Sequence, residues 1–123
     1  MRKKILIADD DPVVRLLLDE FLSPTGLEVE TVDSGAACLR RVSEQVPDLL
    51  IVDFMMPDMT GADVIKSLRS DKITEKLPVI MLSASISGDD MIPKGPSGPD
   101  RFIEKPFESK TLRRAVEELL RSP

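Results

Sequence analysis

The stretch "DLLIVDFMMPDMTG", residues 48–61, runs four apolar residues in a row, Leu49 to Val52, straight into the carboxylate of Asp53. Such a run, closed by turn formers, reads as a strand buried on both faces, as in a parallel sheet covered by helices on each side. A lone carboxylate at the end of a buried strand is costly unless something compensates it, so Asp53 is the position to explain.

The pattern extends outward in both directions. "KILIA" (4–8), "LEVETV" (27–32), "LPVIML" (77–82) and "RFIE" (101–104) read as further strands, giving five with "DLLIVD" (48–53). Between them lie amphipathic stretches. "DPVVRLLLDEFL" opens with an Asp11 cap and Pro12 in the first helical position, and Val13, Leu16, Leu17, Leu18 and Phe21 are expected to form its buried stripe. "SGAACLRRVSEQV" and "GADVIKSLRS" read as the next two helices, and "ESKTLRRAVEELL" spaces Leu112, Ala115, Val116, Leu119 and Leu120 as a last one. Alternating strand and helix with right-handed crossovers imply an α/β, doubly wound, three-layer domain.

Composition sets the bounds. The 123 residues suffice for one domain with a core that needs no disulfide or structural metal, and residues 1–123 are read as a single domain. No run approaches the roughly 20 apolar residues of a membrane helix, and the start "MRKKILIADDD" lacks a long apolar segment or cleavage site; the reading is cytoplasmic, with no membrane partner. Cys38 sits among Ala36, Ala37 and Leu39 as a small buried residue rather than a reactive thiol. A net charge of −5, no basic cluster and no Tyr or Trp argue against direct nucleic-acid binding by this chain. The sequence also has no histidine, the commonest acid–base group.

In an open parallel sheet, ligands bind beyond the carboxyl ends of the strands. There the first strand ends in Asp9 and Asp10, the third in Asp53, the fourth in Ser83 and Ser85, and the fifth in Lys105. One acidic residue after a strand is commonly a helix cap, and Asp11 is read as one. Three carboxylates together raise one another's pKa unless a cation sits among them, and a hard divalent ion such as magnesium, held by one or two carboxylates plus waters, keeps positions open for phosphate oxygens. Lysine adds a second positive centre and serine a hydroxyl donor. With the ion on one side and Lys105 on the other, Asp53 is placed to attack phosphorus and form an acyl phosphate.

The segments "ILIADDDP", "LLIVDFMMPDMTG", "LPVIMLSAS" and "FIEKPF", in this order and spacing, resemble the receiver domain of two-component response regulators, the family of the chemotaxis response regulator. The resemblance covers about residues 4–121. It implies a flavodoxin-like fold of strand order 2-1-3-4-5, and phosphoryl transfer to Asp53 from a histidine kinase, a histidine phosphotransfer protein or a small phosphodonor. It implies further that Asp10, Asp53 and the backbone carbonyl of Met55 hold magnesium, or manganese, with Asp9 acting through water. Ser83 would be the switch hydroxyl, Phe102 the switch aromatic and Lys105 the phosphate-contacting lysine, followed by a cis bond to Pro106. Met55 and Ser85, two residues beyond the acceptor and the switch hydroxyl, would tune phosphoryl lifetime. The output would be a downstream protein target or a fused output domain, and the chain would accept a phosphoryl group rather than act as an enzyme.

Three rival readings are weaker. A haloacid-dehalogenase-like phosphatase needs a carboxylate where Met55 stands. A flavodoxin-like flavin carrier needs a hydroxyl- and glycine-rich loop where "DDDP" stands. A pseudo-receiver acting independently of phosphorylation is the remaining alternative, kept open by residues 84–100, although the site positions retain competent chemistry. That stretch, where the family has its fourth helix, holds Gly88, Pro93, Gly95, Pro96, Gly98 and Pro99. An interior proline costs a helix about 3 kcal/mol, so the fourth helix is expected to be degenerate or missing, with a turn or two near Ser87 to Ile92 and a mobile connection after it. Signalling would then order this segment, or the segment is a tolerated loop and the partner docks elsewhere, for instance on the first helix.

Overall fold

A computed structural model describes residues 2–84 and 97–121. Five strands, β1 (Lys4–Ala8), β2 (Glu28–Val32), β3 (Leu49–Asp53), β4 (Val79–Ser83) and β5 (Arg101–Glu104), form one parallel sheet in the order β2-β1-β3-β4-β5. This is the expected flavodoxin-like order. The helices are α1 (Pro12–Leu22), α2 (Gly35–Glu44), α3 (Gly61–Arg69) and α4 (Ser109–Arg121), and a 3-10 turn, Ser23–Thr25, follows α1.

Side-chain alternation along the strands builds two cores from one sheet. Leu6, Ala8, Leu50, Val52, Val79 and Met81 face α2 and α3, where they meet Cys38, Val42, Val64, Ile65 and Leu68. Ile5, Ile7, Leu49, Ile51, Ile80 and Leu82 face α1 and α4, where they meet Leu18, Leu22, Leu112 and Val116. Every residue of β3 and β4 is buried, which is why those strands read as unbroken apolar runs. Burying one such side chain stabilises the fold by roughly 1.5–3 kcal/mol. Cys38 lies in the first core, and burial pushes its thiol up to about 12, so it stays protonated.

The helix starts follow local chemistry. Asp11 caps α1 by accepting the Val13 amide at 2.9 Å, Ser34 caps α2 through the Ala37 amide at 3.1 Å, and Thr60 with Asp63 forms a capping box on α3. The edge strand β2 is held by Glu30, which accepts from Lys4 and Arg41; these bonds draw its carboxyl down to about 2. No helix among the described residues is long and apolar enough to cross a membrane.

One expectation is corrected. Val13, Leu16 and Leu17 do not belong to the buried stripe of α1: they are 62%, 59% and 39% exposed. At about 100° per residue, Val14, Leu18, Phe21 and Leu22 share the inward arc, and the other three step off it. The helix is apolar over a wider arc than the sheet covers. The expected loss of the fourth helix falls mainly on residues 85–96, outside the described residues. Residues 97–100 lead into β5, where Asp100 accepts the Val79 amide at 2.8 Å and the Arg69 guanidinium at 3.2 Å, tying the starts of β4 and β5 to the end of α3.

Leu18→Ala is expected to cost about 2–5 kcal/mol in urea denaturation. Leu16→Ala, on the exposed arc of the same helix, is expected to fall within about 0.5 kcal/mol of the parent.

Candidate functional site

Strand register assembles the site. Ala8 pairs with Val52, so the next residues, Asp9 and Asp53, emerge side by side. Asp53 pairs with Leu82 and Ser83 with Glu104, which brings Ser83 and Lys105 to the same edge. Asp9 and Asp53 are buried, at 0% and 7% exposure, whereas Asp10 is open to solvent. One carboxylate oxygen from each of the three lies within 4.8 Å of the others.

A single ammonium group bridges two of them. Lys105 Nζ is 3.1 Å from Asp9 Oδ2 and 3.2 Å from Asp53 Oδ1. Asp9 Oδ1 accepts the Asp11 amide at 2.9 Å, and the Asp9 carbonyl accepts Arg15 Nη1 at 2.8 Å, so Asp9 is fixed through both its side chain and its backbone. Burial raises the Asp53 carboxyl above the usual carboxylate range; the neighbouring Asp9 adds to this, Lys105 opposes it and Asp10 adds a further push. For Lys105 burial works against the charge, but its contacts with Asp9 and Asp53 outweigh burial and leave it raised. The lysine is charged, and its contacts do not offset the burial of Asp53.

The remaining candidates are placed as follows. Ser83 is buried at the end of β4, and its carbonyl accepts the Lys105 amide at 2.7 Å. Phe102 is half-buried and packs on the α2/α3 core, on the sheet face shared with Met81. Met55 is 63% exposed, while the adjacent Met56 is in the core. The Lys105–Pro106 bond is cis, as the resemblance implied. Ser85 lies outside the described residues.

Two residues that sequence reasoning passed over shape the loop after Asp53. A Cβ on Gly61 would lie 2.6 Å from the Asp53 carbonyl oxygen, so only glycine permits α3 to start against the backbone of Asp53. Asp58 accepts the Gly35 and Ala36 amides at 3.0 and 2.8 Å, joining the loop to α2. A signal for the first was present in "TG" opening an amphipathic run, whereas nothing local marks Asp58 as a ligand of a helix 22 residues upstream.

A model of the response regulator receiver domain matches residues 5–117. The chain belongs to that family. The phosphate regulon transcriptional regulatory protein PhoB of Rhizobium meliloti is 35% identical over 121 residues, 98% of this chain and 53% of its own. The DNA-binding response regulator MtrA of Mycolicibacterium smegmatis is 36% identical over 98% of this chain and 52% of its own. Among solved structures, the chemotaxis response regulator CheY4 of Vibrio cholerae matches with a TM-score of 0.87 at 27% identity, covering 97% of this chain and 99% of that one. The chain spans about half the length of the curated relatives it matches. It is a signalling module of the two-component type, and Asp9, Asp10 and Asp53 fit the phosphorylation and magnesium site of such receivers.

Because the Asp53 pKa is raised on folding, the ionised form opposes the fold. Its contribution to stability is full below the unfolded carboxyl value, about 3.9, and is lost as pH rises through the folded one. In metal-free buffer at pH 7.5, Asp53→Asn is therefore expected to unfold at higher urea than the parent, and the gap is expected to close as pH is lowered toward 4.

Proposed function

We propose that the protein is a phosphoacceptor receiver in which Asp53 takes a phosphoryl group from a phosphohistidine of a histidine kinase or a phosphotransfer protein. The observation that carries this reading is the single lysine shared at 3.1 and 3.2 Å between Asp9 and Asp53, within a three-carboxylate cluster. The donor set suits a hard dication: carboxylates of Asp10 and Asp53 and the carbonyl of Met55 would hold magnesium or manganese, with Asp9 acting through water. When bound, the ion would supply positive charge against the phosphoryl oxygens.

The chain's own groups carry the rest. An Asp53 oxygen attacks phosphorus as the P–N bond of a phosphohistidine protonated on its other ring nitrogen breaks, leaving an acyl phosphate on Asp53 and a neutral imidazole on the donor. Lys105, held at the edge by its two carboxylates, moves its charge toward the incoming phosphoryl oxygens, and the Ser83 hydroxyl donates to one of them. Ser83 and Phe102 lie on one sheet face, so the hydroxyl's movement is coupled to the ring and to the surface around β5 and residues 84–102, where partner binding is controlled. The output is a protein target or a fused domain. PhoB and MtrA are named as transcriptional and DNA-binding regulators and are about twice this length; the net charge of −5 on this chain argues against its contacting DNA itself.

The exposed Val13, Leu16 and Leu17 give the donor a docking place. They lie on the outer arc of α1, which starts two residues beyond Asp10, and the phosphodonor protein must approach this edge to reach Asp53. Met55, exposed at the same edge, has only a weakly accepting sulfur with which to orient water, so the acyl phosphate is read as long-lived.

With a small phosphodonor and magnesium, mass spectrometry is expected to find an acid-labile phosphoryl group on Asp53. Uptake at the parental rate by Asp53→Asn, or uptake without a divalent ion, would refute the reading. Leu16→Asp is expected to slow transfer from a histidine phosphotransfer protein about tenfold, equivalent to about 1.4 kcal/mol, while leaving labelling by acetyl phosphate unchanged.

A further inference from the structure

The loop between Asp53 and α3 carries the Met55 carbonyl, and its two ends are well fixed. At the near end the Phe54 amide donates to Leu82 O at 2.8 Å; at the far end the Gly61 amide donates to Phe54 O at 2.7 Å, and Thr60 opens the capping box of α3. Met55 and Thr60 pair across the loop as an isolated antiparallel bridge. What sets the position of the intervening turn is its contact with α2.

Asp58 and Met59 make that contact together. The Asp58 carboxylate takes the amides of Gly35 and Ala36, the first two residues of α2, whose N–H groups have no carbonyl partner within the helix. The Ala37 amide is taken by Ser34, so the first turn of α2 is satisfied by its own cap and by a carboxylate from another loop. Met59 lies across Gly35 so closely that a Cβ there would stand 2.2 Å from Met59 Cγ. The helix in turn is seated on the sheet by Cys38 and Val42. A carboxylate between two amides and a helix N-terminus is held by charge as well as by geometry, and these bonds keep the Asp58 pKa low.

We propose that Asp58 is a positioning residue for the dication site: through the 58–59 turn and the Met55–Thr60 bridge, it fixes the Met55 carbonyl relative to Asp10 and Asp53. The N-terminus of α2 thereby becomes part of the acceptor's support. This rests on the metal-assisted phosphoacceptor reading above. It makes ion affinity depend on a carboxylate that never touches the ion, and it makes α2 respond to occupancy of the site.

The test is a magnesium titration of the full chain followed by calorimetry and by amide NMR, on the parent, Asp58→Ala, Asp58→Asn and Leu18→Ala. Asp58→Ala is expected to bind magnesium about tenfold more weakly, a typical loss for a group that orients a ligand. Asp58→Asn, which keeps one acceptor oxygen, should recover part of that affinity. Leu18→Ala loosens the core on the opposite face of the sheet and is expected to lower the urea midpoint without changing magnesium affinity. In the parent, the Gly35 and Ala36 amide resonances should move with the same midpoint as the calorimetric one. Unchanged affinity in Asp58→Ala overturns the proposal and leaves Asp58 a helix cap only. If that variant does not fold, the parent decides, since motionless Gly35 and Ala36 resonances overturn it equally. A parent that binds no magnesium at all overturns the metal reading and this proposal with it.

Discussion

The structure turns on a charge imbalance that the parallel register imposes. Ala8 opposite Val52 forces Asp9 and Asp53 out of the sheet side by side, and Asp10 follows on the next residue. Two unit charges 4 Å apart interact by about 4 kcal/mol at an effective dielectric of 20, so neighbouring carboxylates are a real cost at this edge. Lys105 reaches two of the three and Arg15 adds a second positive charge at the Asp9 carbonyl, so the three carboxylates, when ionised, still outweigh the cations that touch them. A dication would reverse that balance. On the proposed reading, this imbalance favours a cation and, beyond it, the phosphoryl oxygens a cation attracts.

Everything around the cluster keeps it from relaxing. Alternating side chains of β1, β3 and β4 commit both sheet faces to packed cores, so the strand ends cannot separate to spread their charges. Gly61 lets α3 press against the backbone of Asp53, and Asp9 is tied by Asp11, Arg15 and Lys105 at once. Burial first, and then the neighbouring Asp9 and Asp10 against the opposing Lys105, leave the Asp53 carboxyl with a raised pKa. On the proposed reading, a rigid carboxylate whose counter-charge arrives with the reaction is well arranged for electrostatic assistance of its own phosphorylation.

Much of this was legible in the sequence because it is written in short-range patterns. The apolar runs of β1, β3 and β4 are what two-sided burial requires, and the polar residues ending each strand announce the edge at which they meet. The α1 stripe was misplaced because Val13, Leu16 and Leu17 are apolar for a reason other than packing on the sheet, and helical periodicity alone cannot tell two apolar arcs apart when they are contiguous. Asp58 escaped because its role lies in two amides of α2, a contact between segments that no spacing encodes. The consequences of the prolines at 93, 96 and 99 lie in large part outside the described residues.

If the edge is a cluster of carboxylates awaiting a cation, magnesium must stabilise the folded chain. The decisive measurement is the unfolding free energy in urea at pH 7.5 across a range of free magnesium concentrations. Above the dissociation constant, stability should rise by about 1.4 kcal/mol per tenfold increase in the ion, and Asp53→Asn should flatten the rise. A parent whose stability is the same in millimolar magnesium as in chelator would contradict the account.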